Sequence, residues 1–147
     1  MNALLIIDMQ EFFTASKKQR TINECVKLIQ EAKKKRQHII LVEYTSFGNT
    51  LSQLTNMLSK YGKLHKIEKA TDDGGDNVHR YILKEKLNIS SFTVCGVNSD
   101  ACVRETSERL AELGYNIVIV KSACNTTLHW CGKNWSLYRK FENIKKI

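Results

Sequence analysis

The chain has 147 residues, 42% of them hydrophobic and 26% charged, a composition typical of one soluble globular domain. Its longest apolar runs, Ala3–Ile7 and Ile39–Val42, are too short to cross a bilayer. No basic segment precedes a long apolar one, so we expect a cytoplasmic protein without a membrane segment. The net charge of +8 is spread over helix faces and strand ends, which argues against a nucleic-acid surface.

Strands and helices alternate along the predicted chain. Apolar runs buried on both faces predict central parallel strands, and apolar residues at helical spacing predict amphipathic helices. The predicted strands are Ala3–Ile7, His38–Val42, Leu64–Ile67, Ser91–Cys95, Asn116–Val120 and a short edge strand at Ile144–Ile147. The first predicted helix begins with a capping box at Thr21–Glu24. The other predicted helices are Leu51–Lys60, Asp76 or Asn77 to Leu87, Cys102–Leu113 and Asn134–Phe141. This order predicts an α/β fold, three α-β-α layers around a parallel sheet of five or six strands, in a single domain over residues 1–147.

The cysteines do not suggest a disulfide framework or a zinc site. Their number, five, is odd, which argues against a closed set of disulfides. They are Cys25, Cys95, Cys102, Cys124 and Cys131, and the second and third, like the last two, are seven residues apart. Zinc sites favour about two to four intervening residues, and the four histidines are scattered. We therefore expect reduced thiols, most of them packed in the core, and no bound metal.

Chemically functional residues follow several of the predicted strands. Asp8 follows the first strand, Tyr44 the second, Lys69 the third and Cys102 the fourth. In an open α/β sheet, ligands bind beyond the carboxyl ends of the strands. Each residue alone has a structural explanation. The carboxyl of Asp8, the amine of Lys69 and the thiol of Cys102, at the ends of three strands, together favour a catalytic site.

Two cysteines seven residues apart call for different interpretations. Cys95 lies inside an apolar strand and is interpreted as a packed thiol. Cys102 stands in the first turn of a helix, where free N–H groups and the helix dipole stabilise a thiolate. A nearby Lys69 ammonium would lower the thiol pKa further, and Asp8 could accept the thiol proton.

Three segments together resemble the isochorismatase-like cysteine hydrolases. They are "LLIIDMQEFF", "IEKATDDGG" and "CGVNSDACVRETSERLAELGYNIVIV", and the resemblance extends from the first strand to about Ala123. The D-x-Q element and the turn before Cys102 are specific in combination, whereas the lysine element alone is weak.

The resemblance implies roles for particular residues. Asp8, Lys69 and Cys102 would form an Asp–Lys–Cys catalytic triad. Phe13, the aromatic residue after the D-x-Q element, would line the substrate pocket together with Tyr44. A cis peptide bond between Val97 and Asn98 would direct the N–H groups of Asn98 and Cys102 as an oxyanion hole.

The chain departs from two branches of that family. Nicotinamidases carry metal-binding histidines after the second strand, where this chain reads "VEYTSFGNT", so we expect no catalytic metal and no cofactor. Members that cleave the vinyl ether of isochorismate lack the nucleophilic cysteine, which is present here as Cys102.

The leading hypothesis is hydrolysis of a C–N bond in a small amide or ureide. The expected partners are that small-molecule substrate and further copies of the chain in a homo-oligomer, without membrane or nucleic acid. Two alternatives stay open: a vinyl-ether hydrolase acting on an isochorismate-like acid, and a non-catalytic binding module with a basic surface.

Overall fold

Six parallel strands form a single sheet in the part of the chain that the computed structural model describes, residues 1–127 and 133–147. The strands are β1 (Asn2–Ile7), β2 (His38–Tyr44), β3 (Leu64–Lys69), β4 (Ser91–Val97), β5 (Asn116–Asn125) and β6 (Ile144–Lys146). Their order across the sheet is β3-β2-β1-β4-β5-β6, and each neighbouring pair is parallel. The predicted α/β fold is therefore confirmed, and all carboxyl ends of the strands lie at one edge.

The helices cover both faces of the sheet. They are α1 (Gln19–Lys34), α2 (Ser52–Leu58), α3 (Gly75–Lys84) and α4 (Cys102–Glu112), with short 3-10 turns at Thr14–Lys17 and Trp135–Leu137. Apolar residues of α1 and α2 pack in one core cluster, and those of α3 and α4 pack in another. The sheet thus separates two cores, as the predicted three-layer architecture requires.

The central strand β1 shows why its sequence reads as a continuous apolar run. Leu5 and Ile7 face the core beneath α3 and α4, whereas Leu4 and Ile6 face the core beneath α1 and α2. All four are at most 1% exposed. Because both faces of a central parallel strand are covered, no polar alternation remains in the sequence.

Two predicted local features are wrong. The capping box at Thr21–Glu24 lies inside α1, which begins at Gln19 without a side-chain cap, and Thr21 is buried. The predicted helix Asn134–Phe141 is only the 3-10 turn. There the N–H of Arg139 donates to Glu108 Oε1 at 2.8 Å, so it is not available to a helix, and Arg139 Nε donates to Glu108 Oε2 at 3.0 Å.

The predicted edge strand is present as β6, although it ends one residue earlier than expected. It pairs with β5 and so extends the sheet to six strands. Within residues 1–127 and 133–147, no helix is long and apolar enough to span a membrane.

Candidate active site

Three strand ends bring Asp8, Lys69 and Cys102 to one place. Asp8 directly follows β1 with a positive φ of 54°, Lys69 is the last residue of β3, and Cys102 is the first residue of α4. Lys69 Nζ lies 3.0 Å from Asp8 Oδ2. Since β2 separates these strands, the lysine side chain crosses the end of β2 and passes 4.1 Å from the centroid of the Tyr44 ring.

The Asp8–Lys69 pair is fully buried, with both side chains 0% exposed. Lys69 Nζ also donates to the carbonyl oxygens of Thr71 at 2.9 Å and Asp72 at 3.3 Å. These contacts compensate the ammonium for lost hydration. A glycine at position 74 leaves room for the lysine stem, because a Cβ there would lie 2.8 Å from Lys69 Cδ.

Burial sets the protonation of Asp8. It raises the pKa of this carboxyl to about 6, although Lys69 and the nearby Cys102 side chain act in the opposite direction. The residue is therefore ionised at neutral pH but accepts a proton readily. That property suits a group that takes and returns a proton during a reaction.

The expected lowering of the Cys102 thiol pKa is wrong. Burial raises the pKa of this thiol above its ordinary value, and the negative charge of Asp8 raises it further, whereas Lys69 lowers it by less. The lysine charge is already engaged by Asp8, so it cannot stabilise a thiolate on its own. The resting site thus holds a neutral thiol next to an ionised carboxylate.

The turn between β4 and α4 contains the expected cis peptide bond at Val97–Asn98. The N–H groups of Ala101 and Val103 donate to the Asn98 carbonyl at 3.2 and 3.1 Å. In the part of the chain that the structure describes, the N–H groups of Asn98 and Cys102 donate to no protein acceptor. These are the two N–H groups that the family resemblance predicts as an oxyanion hole.

Gly96 allows β4 to approach β1 beside this turn. Its φ is +124°, and a Cβ on it would lie 2.0 Å from the carbonyl oxygen of Ile7. Only glycine fits such a conformation at such a distance. The contact fixes the end of β4 against the residue that precedes Asp8.

A cluster of aromatic side chains lies beside Lys69. Phe13 lies edge-on to Tyr44 at 6.2 Å between ring centroids and stacks on Phe47 at 4.3 Å. The two residues expected to line the pocket are thus neighbours, and Phe47 is a third member of this aromatic cluster that sequence reasoning missed. Gln10 holds this loop, because its amide donates to the carbonyls of Tyr44 and Gly48 and accepts the Tyr44 N–H.

Asp72 is the second residue that sequence reasoning missed. The Cys102 thiol donates to Asp72 Oδ1 at 3.6 Å, so the sulfur lies between two carboxylates, those of Asp8 and Asp72. The only signal in the sequence is the pair of acids in "KATDDGG", three residues beyond Lys69. Such acids before glycines are usual in any loop.

Three of the other cysteines are described by the structure. Cys25, Cys95 and Cys124 are reduced and buried, and Cys131 lies outside the described residues, as does His129. Among residues 1–127 and 133–147, no group of three or more His, Cys, Asp or Glu side chains could hold a metal ion.

Comparisons with known proteins identify the family and the fold. Residues 2–129 match the model of the isochorismatase domain family. A curated relative, "Isochorismatase domain-containing protein 2" from Xenopus laevis, is 26% identical over 130 residues, which are 85% of this chain and 60% of that protein. This chain therefore spans less than two thirds of that relative.

Solved structures share the fold at low sequence identity. A nicotinamidase from Staphylococcus aureus superposes with a TM-score of 0.73 at 20% identity, covering 88% of this chain and 86% of that one. A ribonuclease from Caenorhabditis elegans superposes with a TM-score of 0.76 at 23% identity, covering 87% and 66%. The fold, the turn before Cys102 and the match over residues 2–129 lead to one assignment: the chain belongs to the isochorismatase family.

Proposed function

We propose that this protein is a cysteine hydrolase that cleaves a C–N bond in a small amide or ureide through a thioacyl intermediate on Cys102. The observation that carries the proposal is the neutral Cys102 thiol beside a carboxylate whose pKa is about 6. A buried thiol of raised pKa needs a base at the moment of attack. Asp8 is that base.

The first half-reaction transfers one proton and forms one bond. Asp8 takes the thiol proton as the sulfur attacks the carbonyl carbon, and the carbonyl electrons move to oxygen. The N–H groups of Asn98 and Cys102 hold that oxyanion, each contributing about 3 kcal/mol to the transition state. When the C–N bond breaks, protonated Asp8 gives its proton to the leaving nitrogen.

The second half-reaction restores the enzyme. Asp8, ionised again, takes a proton from water, which attacks the thioester carbon. The C–S bond then breaks, the acid product leaves, and the thiolate recovers its proton from Asp8. Lys69 keeps Asp8 ionised between these steps, because its charge 3.0 Å away opposes the effect of burial on the carboxyl pKa.

The aromatic residues Phe13, Tyr44 and Phe47 fit a small, flat substrate. They form one aromatic cluster beside Lys69 and would supply apolar area around a reacting carbonyl. We further propose, from the sequence alone, a homo-oligomer, a cytoplasmic location and no required cofactor.

The test is to trap the intermediate. The protein is mixed with a panel of small amides and ureides, quenched in acid within milliseconds to seconds, and digested for mass spectrometry. The expected result is an acyl adduct on the peptide that contains Cys102, together with released amine or ammonia. Hydrolysis of an isochorismate-like vinyl ether without an adduct would favour the vinyl-ether alternative. Salt-dependent binding of nucleic acid with no turnover of any compound would favour the binding-module alternative.

A further inference from the structure

Asp72 places a negative charge at the entrance to Cys102. Its carboxylate oxygen Oδ1 lies 3.6 Å from Cys102 Sγ, and the residue is exposed while the cysteine is buried. The buried sulfur therefore has a solvent-exposed carboxylate as a direct neighbour. Asp72 takes no part in the proton transfers proposed above.

The backbone of Asp72 is held in place from two sides. Its carbonyl accepts a hydrogen bond from Lys69 Nζ at 3.3 Å and a longer one from Thr106 Oγ1 at 3.4 Å. Both donors belong to buried residues. The backbone that carries this carboxylate is thus anchored to two elements of the site.

Two cations near the site, Lys69 and Arg104, are engaged by other groups. Lys69 pairs with Asp8, and Arg104 lies 3.4 Å from Glu105 and 3.7 Å from Glu108. Glu105 adds a further negative charge, and its pKa is raised first by burial and then by Asp72. Although the whole chain carries a net charge of +8, Cys102 thus has two acidic neighbours, Asp8 and Asp72.

We propose that Asp72 is a specificity-determining residue that disfavours anionic substrates and selects neutral or cationic amides and ureides. The inference rests on the proposed function, since it takes Cys102 as the nucleophile. An amide or ureide N–H can donate to the Asp72 carboxylate while its carbonyl faces the sulfur. A dicarboxylic acid such as an isochorismate-like substrate would bring like charges together at this point.

The size of the effect follows from Coulomb's law. Two unit charges about 4 Å apart repel weakly in bulk water and about four times more strongly near a protein surface. The corresponding discrimination against an anion lies between about fivefold and several hundredfold. Salt should reduce it, because the entrance is open to solvent.

The experiment compares two alkylating reagents of similar size that differ in charge. Iodoacetamide is neutral and iodoacetate is an anion, and the rate of each at Cys102 is measured by peptide mass spectrometry. The rate with iodoacetamide is divided by the rate with iodoacetate. This ratio is then divided by the same ratio for a free thiol such as N-acetylcysteine, which gives a normalised ratio. We expect the wild type to discriminate against iodoacetate at least fivefold more than the free thiol does.

Variants assign that discrimination to Asp72. Asp72→Asn should lower the normalised ratio at least threefold, and Asp72→Glu should restore most of it. Asp76→Asn is the matched control: it removes the same charge close by in the chain, but its carboxylate pairs with Arg109 at 2.9 Å. The inference is overturned if Asp72→Asn leaves the ratio unchanged, or if Asp76→Asn lowers it equally. Because Asp72 is exposed, we expect all three variants to fold, as circular dichroism can check.

Alkylation requires no turnover, so this test is independent of the proposed function. A ratio that depends on Asp72 in a protein that hydrolyses no amide supports the charge selection and rejects the hydrolase. Amide hydrolysis through Cys102 with a ratio that does not depend on Asp72 rejects the charge selection alone.

Discussion

The thiols of Cys95 and Cys102 lie in two regions that differ in their neighbours rather than in thiol acidity. Cys95 is in β4, beneath α1, and is 0% exposed, and Cys102 at the strand edge is only 3% exposed. The pKa of Cys95 is raised first by a hydrogen bond with Cys25 and then by burial. The pKa of Cys102 is raised first by burial and then by Asp8.

The difference lies in what can accept each proton. Next to Cys95 are other thiols, Cys25 and Cys124, which are themselves buried and are weak acceptors. Next to Cys102 is a carboxylate that titrates at about pH 6. A raised thiol pKa therefore does not distinguish a packing cysteine from a candidate nucleophile. What distinguishes them is whether a base lies next to the thiol.

The largest predicted effect tests whether Cys102, and not Cys95, is the nucleophile. Cys102→Ala should lose hydrolysis by a factor of about 10⁴ or more, since it removes the nucleophile. Cys95→Ala should keep its activity within about twofold and lose about 1–2 kcal/mol of unfolding free energy from the small cavity. Steady-state kinetics with the best substrate of the panel and urea unfolding measure both. Full activity in Cys102→Ala would exclude covalent catalysis.

A second prediction concerns the Lys69 charge that keeps Asp8 ionised. Lys69→Met leaves the Asp8 carboxylate buried without its partner, so we expect a loss of about 3–5 kcal/mol of unfolding free energy at pH 8. The loss should be smaller at pH 5. Without Lys69 the folded-state pKa of Asp8 rises above about 6, and a carboxyl with a raised folded pKa destabilises the fold as pH increases toward that value.

Urea unfolding at both pH values measures this effect. Lys66→Met is the matched control, because Lys66 is half exposed and lies 3.3 Å from Glu43. Such a surface pair contributes at most about 1 kcal/mol. Equal losses in the two variants, or a Lys69→Met loss that does not change with pH, would contradict the assigned role of the buried pair.

Much of this fold could be predicted from hydrophobic patterning. The run Ala3–Ile7 predicts a strand covered on both faces, and the ends of parallel strands predict where Asp8 and Lys69 meet. These are consequences of local pattern and topology, which the sequence carries directly. The cis bond after Val97 was implied only by the family resemblance.

The features that sequence reasoning missed depend on contacts between distant segments. The thiol pKa of Cys102 depends on how deeply the sulfur is buried and on which carboxylate Lys69 forms an ion pair with. Neither is visible in the sequence. The role of Asp72 requires a loop after β3 to meet the start of α4. The predicted helix Asn134–Phe141 fails because Glu108, about thirty residues earlier, takes the Arg139 N–H.

The smallest predicted effect is a pH dependence that sharpens the contrast between the two cysteines. If Asp8 is the base, kcat/KM should fall about tenfold per pH unit below about 6, where Asp8 becomes protonated. Below that value the carboxyl cannot accept the thiol proton, so activity is lost on the acid side and retained on the neutral side. Asp72→Asn should move this acidic fall in kcat/KM to lower pH, because the Asp72 charge raises the Asp8 pKa. A rate that instead rises only above pH 8 would mean that the thiol ionises without the help of Asp8, as an ordinary cysteine does.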